Sequence, residues 1–243
     1  MFPFKPRLVN RSKSKSNAPS NIPYKKLLIE SQQAAYFEIP KVACTSINLL
    51  LIRKFIRTET FDYQHVHTDT SLPTVFESLD ASFVSWFKFA FVRHPLTRLQ
   101  SCFLDKVKPI GFDEPGHYES GLYVPFKKYG DLFAPGMNFE AFSSAVAQIS
   151  DQDADPHFRS QTCFLIDGNG ELQLDFLGRF ENLEPDLDHV MKRFGVPESS
   201  YQLPAINKQE HPKDWALSSR AKELIAKRYQ HDFERFQYDL DSP

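Results

Sequence analysis

Tyr36-Phe37-Glu38-Ile39-Pro40-Lys41-Val42-Ala43-Cys44-Thr45-Ser46 and the ten residues after it decide the fold of this chain. Residues 34–39 read as a short buried strand, and Pro40 ends it because proline cannot donate to a sheet ladder. From residue 47 to 56, Ile47, Leu50, Leu51 and Phe55 recur at helical spacing. Between strand and helix lie Lys41 and a run of small and hydroxyl residues. A strand that turns tightly into a helix aims free backbone N–H groups and the positive end of the helix dipole at one spot, which suits an anion. Lys41 adds a point charge there, and Thr45 and Ser46 add hydroxyl donors. This is the layout of a phosphate loop without the glycines of the nucleotide fingerprint.

A second unit lies further on, at Trp86-Phe87-Lys88-Phe89-Ala90-Phe91-Val92-Arg93-His94-Pro95-Leu96-Thr97-Arg98-Leu99-Gln100-Ser101. Residues 86–92 are almost all apolar and read as a central strand covered on both faces. Arg93 falls at its carboxyl end, where open α/β sheets bind ligands, and its planar fork suits a phosphate. Pro95 fits the first turn of a helix, whose buried face is Leu96, Leu99, Phe103 and Val107. Ser101, two turns in, adds a hydroxyl on that helix.

Around these units the pattern predicts a short helix over 74–82 and an Asn138-capped helix to about 148. Short strands are expected at 164–166 and 172–180, around the Asp167-Gly168-Asn169-Gly170 turn. A helix over 184–194 is ended by Gly195. Ser218 or Ser219 caps a last helix with Leu224, Ile225 and Tyr229 facing inward. Residues 109–136 form a long Gly- and Pro-rich loop carrying Tyr118, Tyr123, Phe126 and Tyr129, of the kind that is often functional. The expected architecture is one α/β domain over residues 26–243, with a mostly parallel central sheet flanked by helices, behind a flexible basic tail at 1–25.

Composition narrows the function. Of 243 residues 41% are hydrophobic, 23 of them Phe, enough for a sizeable core. A net charge of −2 offers no basic field for nucleic acid. Cys44, Cys102 and Cys163 form neither a disulfide framework nor a zinc spacing, and no Asp/Glu/His cluster has metal-ligand spacing, so no metal is expected. No run approaches the roughly 20 apolar residues of a membrane span, and residues 1–21 lack an apolar signal core.

Pro40-Lys41-Val42-Ala43-Cys44-Thr45-Ser46 resembles the 5′-phosphosulfate loop of the sulfotransferase 2 family, which includes the carbohydrate sulfotransferases. The stretch ending in Arg93 and Ser101 resembles that family's 3′-phosphate site. The segments Leu177-Gly178-Arg179-Phe180-Glu181-Asn182-Leu183-Glu184 and His157-Phe158-Arg159-Ser160-Gln161 are also similar, and the likeness runs from about Tyr36 to Tyr238. It implies a P-loop-like sulfotransferase fold and sulfuryl transfer from 3′-phosphoadenosine 5′-phosphosulfate (PAPS) to a hydroxyl, most plausibly of a carbohydrate, without a metal. It further implies that Lys41, Val42, Ala43, Cys44, Thr45 and Ser46 hold the 5′-phosphosulfate, with Lys41 catalytic, and that Arg93 and Ser101 hold the 3′-phosphate.

A hydroxyl acceptor needs a base near neutral pH, for which histidine is suited. His65 and His67 lie between the two motifs, on one side of the chain if the segment is extended. In similar glycan-acting enzymes the second His of such a pair is the base, which favours His67 over His65, with an acidic limb near the ordinary histidine value of roughly 6.5. His94 reads as packing behind the loop. Arg98 fits an ion pair as well as a phosphate contact. His157 and Arg159 read as structural rather than as contacts to an acceptor anion. Animal relatives of this family are usually Golgi-anchored; this chain shows no anchor, so a soluble, cytoplasmic, bacterial enzyme is expected. The rival readings are a small-molecule kinase, whose Gly-x-x-x-x-Gly-Lys-Ser/Thr is missing, and a non-catalytic glycan-binding module. The tyrosines of 109–136 suit a sugar, a lipid or a phenol equally.

Overall fold

A computed structural model describes residues 19–57, 61–206 and 217–241. Its frame is a five-stranded sheet. Strand β1 (Lys26–Ile29) turns back through a single 3-10 turn into β2 (Ala34–Phe37), antiparallel to it. Strand β3 (Thr74–Val75) pairs with the outer edge of β1. Strand β4 (Phe87–Val92) lies beside β2, a small hairpin forms β5 (Tyr118–Glu119) and β6 (Leu122–Tyr123), and β7 (Phe176–Arg179) completes the sheet in the order β3-β1-β2-β4-β7. β2, β4 and β7 run parallel, as expected for the central strands, with Phe37 opposite Ala90 and Val92 opposite Arg179. That register brings all three carboxyl ends to one edge, so the segments that follow them meet there.

The helices are α1 (Cys44–Leu51), α2 (Pro95–Lys106), α3 (Phe139–Val146), α4 (Thr162–Leu165), α5 (Leu183–Arg193), α6 (Ser219–Arg228) and α7 (Gln230–Phe236). Asn138 and Ser218 cap α3 and α6 by accepting the N–H of Ala141 and Ala221, as their short polar side chains dictate. The helix read to residue 56 continues past α1 as a π turn, Ile52–Ile56. One apolar cluster covers the sheet with Tyr36, Phe89, Phe91, Ile47 and Leu51. A second gathers Leu96, Leu99 and Cys102 of α2 with Phe126, Phe133, Phe142 and Phe158.

Several expectations are corrected. Residues 74–82 are not a helix. The Leu28 N–H bonds the Pro73 carbonyl at 2.8 Å, so the unsatisfied edge of β1 recruits Thr74 and Val75 as a strand, and one 3-10 turn follows at Ala81–Phe83. Residues 164–166 are not a strand. The Asp232 carboxylate takes the N–H groups of Gln161 and Thr162, both at 2.8 Å, and starts the helical turn α4 from outside the segment. Ile166 keeps one bridge to Leu172 around the expected turn. The last helix is two, α6 and α7, meeting at Tyr229. Strand β1 lies beyond the strands expected from the pattern. Of the expected tail, residues 1–18 lie outside the described residues; Ile22 donates to the Cys163 carbonyl at 3.0 Å, and the Tyr24 ring lies 5.1 Å from that of Phe164.

Arg98 ties the layers together. Its side chain is 2% exposed and donates to three backbone carbonyls: Pro40 at 2.9 Å, Arg159 at 2.7 Å and Pro156 at 3.0 Å. It therefore links the end of the β2 segment to the approach to α4, and among the described residues it forms no ion pair. Arg98→Met keeps much of the apolar stem and removes every donor. Each orphaned buried acceptor costs about 1–3 kcal/mol, so urea unfolding should show a loss of about 3 kcal/mol or more. A variant as stable as the wild type would contradict this role.

Candidate active site

At the sheet's carboxyl edge the chain leaves β2 through Pro40 and enters α1. Lys41 and Ala43 both have left-handed backbone, with φ of 72° and 64°. Non-glycine residues in that region cost on the order of 1–3 kcal/mol each and persist only where surroundings impose them. Here Ile39 and Val42 are fully buried, Arg98 Nε holds the Pro40 carbonyl, and Arg93 Nη1 holds the Lys41 carbonyl at 3.3 Å. Ala43 caps α1 without a side-chain acceptor, so the N–H groups of the first turn have no side-chain cap. Left-handed residues ahead of an open helix end form a concave nest of amide donors, an anion cradle.

Arg93 follows β4. Gln161 grips its backbone twice, accepting its N–H at 2.9 Å and donating to its carbonyl at 2.8 Å. Its guanidinium lies 4.1 Å from the centre of the Phe180 ring and donates to Thr97 Oγ1 at 3.1 Å. Burial pulls its pKa down to about 10, partly offset by Glu181, and it remains a cation at neutral pH. Ser101 is buried on α2 one turn beyond Thr97, on the same helical face. Arg93 thus reaches the loop from the neighbouring strand, and Ser101 lies one helical turn beyond its partner Thr97.

Lys41 reaches across to Asp105, at the end of α2, with Nζ to Oδ2 of 2.7 Å. Lys106 lies 3.2 Å from the same oxygen. Burial would raise the Asp105 pKa, but Lys41 and Lys106 outweigh it and hold the carboxyl well below the usual carboxylate range. Tyr118 donates its hydroxyl to Asp105, 2.7 Å from the backbone oxygen and 3.2 Å from Oδ1. The Lys106 ammonium lies 3.8 Å from the centre of the Tyr123 ring. Within the 109–136 segment the β5–β6 hairpin thus sets Tyr118 against Asp105 and Tyr123 against Lys106. Tyr129 turns away and bonds the Asp153 carbonyl.

His67 joins the loop and His65 does not. Residues 63–65 form a 3-10 turn rather than an extended run, so the alternation that would pair the two histidines is absent. His65 is exposed. His67 Nε2 lies 3.0 Å from Thr45 Oγ1, and its Nδ1 lies 3.2 Å from Glu38 Oε1. Glu38 is 2% exposed and is held by Asn48 Nδ2 at 2.6 Å, with Lys25 at 3.8 Å. Burial favours a neutral His67, yet Cys44 and Glu38 outweigh it and push the pKa up to about 10. Ser46 is buried, and its hydroxyl accepts the Ile206 N–H at 3.3 Å. Cys44 is half-buried at the first position of α1.

The remaining candidates make contacts within the fold. His94 is fully buried; its Nδ1 accepts the Leu96 N–H, and its Nε2 meets the Asp239 carbonyl at 2.7 Å. His157 pairs with Asp155 at 2.6 Å. Arg159 donates to the carbonyls of Asp151 and Ala154. Glu38, Asp105 and Gln161 escaped the sequence reading. The one signal for Glu38 was an acid inside an apolar strand; Asp105 and Gln161 carry no local signal, because their partners are 64 and 68 residues away.

A sequence profile of the sulfotransferase family matches residues 27–239. Similar proteins include carbohydrate sulfotransferase 9 of Homo sapiens, 24% identical over 87% of this chain and 48% of the relative. Carbohydrate sulfotransferase 11 of Danio rerio is 22% identical over 88% of this chain and 66% of the relative. Carbohydrate sulfotransferase 10 of Danio rerio is 25% identical over 86% and 65%. The chain thus spans about half to two thirds of the length of these relatives. All three are vertebrate proteins, and a bacterial source draws no support from them. No solved structure shows a significant match. Among the described residues no helix is long and apolar enough to cross a membrane. With a match that spans the sheet, the loop after β2 and the arginine after β4, the chain belongs to the sulfotransferase family.

Proposed function

We propose that this protein moves a sulfuryl group from PAPS to a hydroxyl of a carbohydrate. The observation that carries the reading is the glycine-free left-handed loop at Lys41 and Ala43, with Lys41 on one side and Arg93 on the other. A donor with phosphates at both ends of a ribose needs two separate anion sites on one edge, and the loop and the Arg93–Ser101 pair supply two. The carbohydrate acceptor is supported by the names of the relatives.

In the proposed reaction the acceptor oxygen bonds to sulfur as the bond from sulfur to the bridging phosphate oxygen breaks. Lys41 and the loop amides meet the charge that gathers on that oxygen. The acceptor proton passes to His67 Nε2, the nitrogen that faces the loop, while Glu38 holds Nδ1. Asp105 and the donor's charged groups compete for the same Lys41 ammonium.

Transfer is tested by incubating the purified chain with sulfur-labelled PAPS and a panel of desulfated glycans, then identifying the labelled product. Lys41→Ala should lower the transfer rate by roughly 10²-fold or more, the scale of one lost electrostatic stabiliser. Near wild-type turnover by the folded variant would defeat the assignment.

The base makes a separate prediction. Because Glu38 and Cys44 favour the imidazolium, His67 becomes neutral only as pH rises through its raised value. The acidic limb of the rate profile should therefore lie above the ordinary value of roughly 6.5. Glu38→Gln removes one stabiliser of the cation and should move the limb toward lower pH. His67→Ala should cost about 10²–10⁴-fold in turnover. A limb that Glu38→Gln leaves in place, or an active His67→Ala, would put the base elsewhere.

A further inference from the structure

Three residues from three separate segments converge beneath the loop: Glu38 just past β2, Cys44 at the start of α1, and His67 after the 3-10 turn. One ligand-capable atom of each lies within 4.8 Å of the other two. Two buried polar atoms nearby, Tyr36 Oη and Asn48 Oδ1, have no partner among the described residues. Tyr36 is fully buried and shares its strand face with Glu38, two residues on. Burial pushes its phenol pKa up, and the neighbouring Cys44 and Glu38 add to the rise. The other end of the Asn48 amide holds Glu38. Orphaned buried polar atoms cost about 1–3 kcal/mol each, and two of them beside a trio of ligand atoms point to a guest.

The donor set selects the guest. Thiolate, imidazole and carboxylate together suit zinc and its relatives, whereas magnesium and calcium take oxygen ligands. The 3.2 Å between Glu38 Oε1 and His67 Nδ1 is close to the edge of on the order of 3.3 Å that two zinc ligands at tetrahedral angle span. Outer partners are already in place. Asn48 and Lys25 hold the second Glu38 oxygen, and Thr45 Oγ1 sits 3.0 Å from His67 Nε2. A metal-bound histidine commonly donates its other N–H to such a group.

We propose that Glu38, Cys44 and His67 bind one divalent cation of the zinc class, with a fourth position open. The three ligands belong to the segments that frame the anion loop. The cation takes the Nδ1 lone pair and leaves the proton on Nε2, the nitrogen that faces the loop. A loaded site therefore withdraws His67 from proton transfer and tethers the first residue of α1. That consequence rests on the sulfotransfer reading; binding itself does not.

Cobalt(II) reports the site without any activity assay. The full chain, stripped with a chelator, is titrated with Co²⁺. One equivalent should raise a thiolate-to-cobalt charge-transfer band together with the visible bands of a tetrahedral site, and Zn²⁺ should bleach both. Cys44→Ser should lose the charge-transfer band, and Cys102→Ala should keep it. Glu38→Gln should bind Co²⁺ at least about ten-fold more weakly. Because a loop variant can misfold, a second measurement uses the wild type alone: Zn²⁺ should protect Cys44 from alkylation, read by peptide mass spectrometry. No thiolate band in the wild type, the same band in Cys44→Ser, or unprotected Cys44 at saturating Zn²⁺ would overturn the proposal.

Discussion

The constraint on which this molecule depends is the left-handed backbone of Lys41 and Ala43, held without glycine. Local sequence does not favour it; a chain of polar ties imposes it. Asp232 on α7 fixes the amides of Gln161 and Thr162. Gln161 grips the backbone of Arg93, and Arg93 holds the carbonyl of Lys41. Arg98 closes the circuit from the carbonyls of Pro156 and Arg159 to that of Pro40. Buried polar networks of this kind stabilise only when every member is satisfied, so the C-terminal helices contribute to the loop without touching it.

The electrostatics of the edge follow from the same arrangement. Lys41 and Lys106 concentrate positive charge at the loop, and Asp105 supplies their counter-charge. Tyr118 connects Asp105 to the β5–β6 hairpin. Asp105 therefore joins the loop lysine to the β5–β6 hairpin. On the other flank Glu38 plays a matching part, buried beneath His67 and poised by Asn48.

What could be read from the sequence was whatever is carried by contiguous residues. The loop, the arginine after an apolar strand, and the Asn138 and Ser218 caps all announce themselves within a few positions, and the structure has each element in place. Readings that depended on an assumed local conformation fared worse. Residues 74–75 join a sheet edge because β1 leaves one open, and residues 162–165 turn helical because Asp232 caps them from 70 residues away. His65 and His67 share one side only if their segment is extended, but a 3-10 turn sends only His67 to the loop. Glu38, Asp105 and Gln161 are defined by partners that only folding brings near.

The central claim is that one edge of the sheet holds two phosphates of one nucleotide at separate sites. Calorimetric titration of 3′-phosphoadenosine 5′-phosphate and of adenosine 5′-phosphosulfate, into the wild type and Arg93→Ala, tests it most directly. The account predicts one tight site for the bisphosphate in the wild type. It also predicts a large loss of that affinity in Arg93→Ala, with little change for the nucleotide that lacks the 3′-phosphate. Equal losses for both nucleotides, or no binding of the bisphosphate by the wild type, would contradict it.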